Sequence, residues 1–201
     1  MSETPGTGEP IFRTAISTYD RDHVWLRGKD LADLMAGQSF GAVVFLLLTG
    51  RLPTAGEARV FEAMLIASAD HGTSPPSTTA ARVIASGNRA AVEAAIAGGI
   101  LAIGDVHGGA GERLMELMAE HLGRADEPRA AARSLVKWAR ASGRRIPGFG
   151  HRTHSVDPRQ TVLFDLARKH GVAGNGVAFV EAVRDEVAAS GRALPINVDG
   201  A

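Results

Sequence analysis

The chain has 201 residues, 45% of them apolar and 5% aromatic, enough to bury a sizeable core in one large domain or two small ones. Its 22 Lys and Arg balance 22 Asp and Glu, and this neutrality argues against nucleic acid or an anionic membrane as the main partner, because both reward a basic excess. The absence of cysteine excludes disulfides, thiolate catalysis and zinc–thiolate sites, and it fits a reducing compartment. Residues 1–10 are polar with Gly and Pro and read as a disordered tail rather than a secretory leader. The longest apolar run, residues 42–48, is too short to span a bilayer, so the expectation is a soluble, cytoplasmic chain.

Residues 11–17 and 24–26 are short and partly β-branched, with Tyr19-Asp20-Arg21-Asp22 between them, which predicts a small hairpin. The pattern turns helical from Lys29, with Leu31, Leu34 and Met35 on one face and Gly37 as the stop. Ser39 is placed to cap a helix over residues 40–49 that is apolar nearly all round, the mark of a buried helix, and Gly50 ends it. Thr54-Ala55-Gly56-Glu57 is a capping box, and the helix it opens is expected to bury Val60, Phe61, Met64, Leu65 and Ser68. His71 stands between that helix and a Ser/Pro loop, where it reads locally as a cap, with a ligand contact as the alternative. A helix over residues 78–86 ends at Gly87-Asn88.

In residues 89–103, Val92, Ile96, Ile100 and Ile103 form a helical stripe opposite Ala91, Ala94, Ala95, Gly98 and Gly99. So smooth an Ala/Gly face admits another helix closely, either within the chain or across a subunit interface. This helix leads to His107, a lone histidine followed by two glycines at the junction with the next helix, whose face is Leu114, Leu117, Met118 and Leu122. A helix over residues 130–141 turns Ala132, Leu135, Val136 and Ala139 inward and stops at Gly143. A second histidine framed by glycine, His151, follows in a loop. Asp157-Pro158 is a strong helix start, with Asp as N-cap and Pro at the first position. Arg159 lies in that first turn, where a cation opposes the helix dipole, so an anionic partner explains it better than helix stability does. A last helix over residues 177–189 turns Val180, Val183 and Val187 inward.

Taken together, His107-Gly108-Gly109-Ala110, Gly148-Phe149-Gly150-His151-Arg152, Asp157-Pro158-Arg159 and Asn197-Val198-Asp199 resemble, in this order, the citrate synthase superfamily. The resemblance runs from about Tyr19 through Asp199. Ala69-Asp70-His71 resembles the family's substrate-binding histidine segment, and Gly50-Arg51-Leu52-Pro53-Thr54 its Gly-x-Leu-Pro-Thr turn. Gly111, where many synthases carry Asn, brings the first motif nearer the short citryl-CoA lyase-like branch.

The resemblance implies a mainly α, two-domain helical fold with a small N-terminal β-hairpin. A large domain would begin with residues 11–108, a small domain would take 109–196, and residues 197–201 would cross back; family members continue from there with further helices, which this chain is expected to lack. It implies chemistry on a coenzyme A thioester as substrate, with no permanently bound cofactor and no metal. Asp199 would be the base at the α-carbon, His107 the donor to the thioester oxygen, and His151 the group at the ketone or alcohol oxygen. His71 and Arg159 would hold the carboxylates of a di- or tricarboxylate. Gly148, Phe149, Gly150 and Arg152 would lie against coenzyme A, with Arg144 and Arg145 either facing its phosphates or simply solvated. Either direction, cleavage of citryl-CoA or condensation of acetyl-CoA with oxaloacetate, fits these groups. A homodimer is expected, and the alternative is a non-catalytic acyl-CoA- or citrate-binding relative acting as subunit or sensor.

Overall fold

The computed structural model describes residues 13–70, 72–125, 127–151, 154–191 and 193–201. The predicted tail and two of the proposed site residues, His71 and Arg152, lie outside the described residues. Among the described residues the chain is mainly helical, with nine α-helices and one small sheet, and it divides into two compact units, Met1–Glu62 and Ala63–Ala201. None of these helices is long and apolar enough to cross a membrane.

The sheet has three antiparallel strands rather than the two of a hairpin: β1 (Ser17–Tyr19), β2 (Val24–Leu26) and β3 (Lys29–Asp30). The first strand reaches Tyr19 because the turn after it is made by Asp20, whose Oδ1 accepts from the amides of Asp22 and His23. The third strand follows from Arg27-Gly28: Leu26 pairs with Lys29, and both turn residues take positive φ, as a two-residue hairpin requires. Helix α1 (Leu31–Gly37) is capped by Asp30 and α2 (Phe40–Thr49) by Ser39, each side chain accepting an amide of the first turn. The Arg27 guanidinium donates to the Leu47 carbonyl through Nε and Nη2, satisfying the end of α2. Leu46 is the buried centre of α2, but Phe40 is 82% and Leu48 70% exposed, so the helix is not enclosed all round as its sequence led us to expect. The capping box forms as predicted: Thr54 N donates to Glu57 Oε2 at 2.8 Å and Glu57 N to Thr54 Oγ1 at 3.3 Å, opening α3 (Ala55–Ala67). None of α3's residues is fully buried; Met64 and Leu65 are exposed.

In the second unit, α4 (Pro76–Gly87) packs along α5 (Val92–Leu101). The contact uses the small Ala/Gly face of α5, the first of the two alternatives its sequence offered, packing within the chain. Its buried residues are Ala95 and Gly99, and a Cβ added to Gly99 would lie 3.3 Å from the Ser77 carbonyl and 3.4 Å from Ala81 Cβ. Gly98 leaves room for the Ile84 side chain. The Val92, Ile96, Ile100 and Ile103 stripe is therefore the exposed face, each residue more than half accessible. The reason is geometric: small residues let two backbones approach, and the stripe is then turned away from α4.

The remaining helices, α6 (Ala110–Leu122), α7 (Pro128–Ser142), α8 (Pro158–Lys169) and α9 (Asn175–Ala189), enclose the core. Leu114, Leu117, Leu135, Phe164, Phe179, Val183 and Ile196 form one buried cluster, with Ala131, Ala132 and Ala182 allowing α7 and α9 to lie close. The faces predicted for residues 130–141 and 177–189 are the ones buried. His121 is buried there too, bonded through Nδ1 to Ser134 Oγ at 3.0 Å and edge-on to Trp138.

Candidate active site

The second unit gathers most of the proposed site at the start of α6. His107 ends a tight loop in which the Gly104 and His107 amides donate to each other's carbonyls and the Gly109 amide donates to Gly104 O at 2.9 Å. A Cβ on Gly109 would lie 2.8 Å from Gly104 O, so the second glycine is required by loop closure itself. The His107 ring is half-buried, and its Nε2 shares a hydrogen bond with Ser77 Oγ at 2.9 Å. Ser77, on the first turn of α4, thus orients the imidazole; it was not singled out in the sequence because 30 residues separate the two.

Asp199 sits on a 3-10 turn, Val198–Gly200, that is pinned in three ways. Asn197 Oδ1 accepts from the amides of Asp199 (2.9 Å) and Gly200 (3.2 Å), while Asn197 Nδ2 donates to Gly150 O at 3.0 Å. Residues 148–150 run antiparallel to residues 195–197, with Gly150 N donating to Pro195 O (2.7 Å) and Asn197 N to Gly148 O (3.0 Å). The third contact is with α6: a Cβ on Gly111 would lie 3.2 Å from Asp199 O. A residue larger than glycine at 111 would push on the turn that carries the proposed base. The Asp199 side chain itself is exposed.

Gly148 and Gly200 meet backbone to backbone. A Cβ on Gly200 would overlap Gly148 O, and one on Gly148, where φ is +79°, would lie 2.8 Å from Gly200 Cα. The glycines and Phe149 proposed for coenzyme A are thus also what joins the His151 loop to the Asp199 turn, and Phe149 is a half-buried part of that junction.

His151 is exposed, and its Nδ1 accepts the His154 amide at 2.9 Å, with the two rings 4.4 Å apart. A nitrogen that accepts carries no proton, so the neutral ring holds its hydrogen on Nε2. Asp157 is fully buried and caps α8 by accepting the Arg159 amide at 3.0 Å. The same carboxylate holds the Arg159 side chain, with Nε 3.0 Å from Oδ1 and Nη2 2.7 Å from Oδ2. Its hydrogen bonds with the guanidinium hold the Asp157 carboxyl below the usual carboxylate range against the opposing effect of burial. Arg159 is raised in turn, first by Asp157 and then by the field of Asp199. The anion that the first-turn position of Arg159 called for is therefore present inside the protein, two residues before it.

The chain matches the family model described as citrate synthase, C-terminal domain, over residues 6–65 and 55–201. It is 33% identical over 128 residues to the citrate/2-methylcitrate synthase of Bacillus subtilis, a match covering 62% of this chain and 32% of that protein. It is 30% identical over 158 residues to the citrate synthase of Deinococcus radiodurans, covering 78% of this chain and 39% of the other. The match thus spans between about a third and two fifths of the length of these relatives. Among solved structures, the citryl-CoA lyase from Hydrogenobacter thermophilus is similar with a TM-score of 0.86 and 37% identity, covering 95% of this chain and 73% of that one. The ATP citrate lyase from Methanosaeta concilii, solved with (3S)-citryl-CoA, shares the fold at a TM-score of 0.83 and 24% identity, over 96% of this chain and 31% of that one.

Proposed function

We propose that this chain, which belongs to the citrate synthase family, breaks or makes the carbon–carbon bond beside the thioester of an acyl-CoA. Cleavage of citryl-CoA to acetyl-CoA and oxaloacetate is the direction put first, because the likeness to a citryl-CoA lyase spans nearly all of this chain and most of that one. Condensation of acetyl-CoA with oxaloacetate uses the same groups in reverse. The observation that carries the reading is the junction of residues 148–150 with residues 195–200, which ties the His151 loop to the Asp199 turn at the start of α6.

In this mechanism Asp199 moves the proton at the α-carbon. An isolated carboxylate is too weak a base for that carbon, so the enolate oxygen needs a fixed donor; losing one such donor typically lowers the rate by about 10²–10³. His107, oriented by Ser77, supplies it. In condensation His151, whose Nδ1 accepts the His154 amide, gives its Nε2–H proton to the ketone oxygen, and in cleavage the same ring nitrogen takes the alcohol proton as the ketone forms. His71 and Arg159 hold carboxylates, and Gly148, Phe149, Gly150 and Arg152 lie against coenzyme A, which comes and goes as substrate. The buried cluster of α6–α9 supports residues 109–196 as a small domain. The exposed stripe of α5 supports a homodimer, and a cytoplasmic location suits a soluble acyl-CoA substrate.

The test is direct. Purified chain is supplied with citryl-CoA, and separately with acetyl-CoA plus oxaloacetate, while free coenzyme A and oxaloacetate are followed. Turnover that falls at least about a hundredfold in Asp199→Ala and in His107→Ala is expected. Binding of the CoA thioester without turnover in either direction would replace the enzyme by a binding relative, and turnover indifferent to Asp199 would remove the assigned base.

A further inference from the structure

We propose that Asp157 is a positioning residue for carboxylate binding: it grips the side edge of the Arg159 guanidinium and presents the other edge, Nη1 with the second N–H of Nη2, to a carboxylate of the substrate. The inference rests on the proposed reaction, which gives Arg159 a di- or tricarboxylate to hold.

Helix capping alone does not explain this carboxylate. A cap needs one side-chain oxygen, and Ser, Thr or Asn provides it without burying a charge. Asp157 is instead fully inaccessible and uses both oxygens on the guanidinium, Oδ1 taking Nε and Oδ2 taking Nη2, while Oδ1 also caps the helix. Two parallel bonds fix the plane of the fork, whereas a single bond would leave it free to rotate. Arg159 remains 30% accessible, so the gripped side chain still reaches solvent. Its surroundings also belong to the site: the charge of Asp199 acts on Arg159. A fork held in advance meets a carboxylate in two places without first losing its rotational freedom.

The test is calorimetric titration of citrate and, separately, of coenzyme A into the wild-type chain, Asp157→Asn, Arg159→Lys and the double variant. Asn keeps an oxygen that caps α8, so the helix start survives while one charged acceptor is lost. The expected result is a citrate Kd raised about ten- to a hundredfold in Asp157→Asn, with the coenzyme A Kd unchanged. Arg159→Lys, which has no fork to orient, should lose citrate affinity by itself and show little further loss when combined with Asp157→Asn. Citrate affinity unchanged in Asp157→Asn overturns the proposal and leaves the proposed reaction standing. Citrate and coenzyme A weakened together overturns it as well, since that is a general loss of structure. A wild-type chain that binds neither citrate nor coenzyme A overturns the reaction and this proposal with it.

Discussion

The α4–α5 pair and the α6–α9 group both mix small with large apolar residues, and pack them in opposite senses. In α6–α9 the large side chains point inward, and Phe179, Leu135 and Val183 are wholly inaccessible. In α4–α5 the small side chains make the contact, while Val83, Ile96 and Ile100 face out. A helix contact made by glycine and alanine brings backbones together but removes little apolar area from water, so it leaves most of the hydrophobic free energy of those helices unspent. The first group has its large side chains enclosed. The second is half of a core, which suits a surface built to be covered.

The largest effect should separate these two regions. Phe179→Ala should lower stability by about 3–5 kcal/mol in urea unfolding, because it opens a cavity in a closed core. Ile96→Ala should cost less than about 0.5 kcal/mol in dilute protein while weakening the proposed homodimer in sedimentation. A loss for Ile96 as large as that for Phe179, at concentrations where the chain is monomeric, would break the contrast.

A middle-sized effect is expected at the glycine contacts. Gly200→Ala sets a Cβ against a carbonyl of the backbone, which cannot swing aside, and should cost about 1–3 kcal/mol in a thermal melt together with most of the proposed turnover. Gly98→Ala meets only the tip of the Ile84 side chain, which can change rotamer, and should be the milder of the two. Equal losses would show that the α4–α5 contact is as rigid as the site.

The smallest effect serves as a reference outside both regions. Arg51 and the Thr54 amide hold the Glu57 carboxyl down to about 2 from an ordinary 4.5. A carboxyl lowered by folding contributes stability above its unfolded pKa, and that contribution disappears as pH falls through the folded value. Glu57→Gln should therefore flatten the pH dependence of the melt between pH 4.5 and about 2. Thr54→Ala should cost about 1 kcal/mol with little dependence on pH.

Helix starts and stops were legible in the sequence because each depends on neighbours in the chain. Ser39, the Thr54–Glu57 box, Asp157-Pro158, and the left-handed Gly50 and Gly143 all act within four residues of where they stand. The inward faces of α7 and α9 were legible because periodicity and a real core agree. The contact face of α5 was legible as well, since Ala95, Gly98 and Gly99 mark the side that another backbone can approach; its partner α4 was not, because only the tertiary fold brings the two together. Within the candidate site, the histidines and Asp199 were marked by their motifs. Their supports were hidden: Ser77 lies on a helix far away in sequence, and the Asn197 side chain holds two loops together. The Asp157–Arg159 pair was hidden differently: Asp157 already had a role as helix cap, and the anion that Arg159 called for was sought in a ligand rather than two residues away.

The backbone contact of Gly148 with Gly200 has a consequence for how such a chain can vary. A crowded pair of side chains can usually exchange bulk, one shrinking as the other grows. Here both partners already have the smallest side chain there is, and each excludes a Cβ on the other. No second substitution at either position can relieve a first. The spacing between the His151 loop and the Asp199 turn is therefore a ruler with no adjustable mark, and variation in the proposed chemistry must enter through the groups mounted on it.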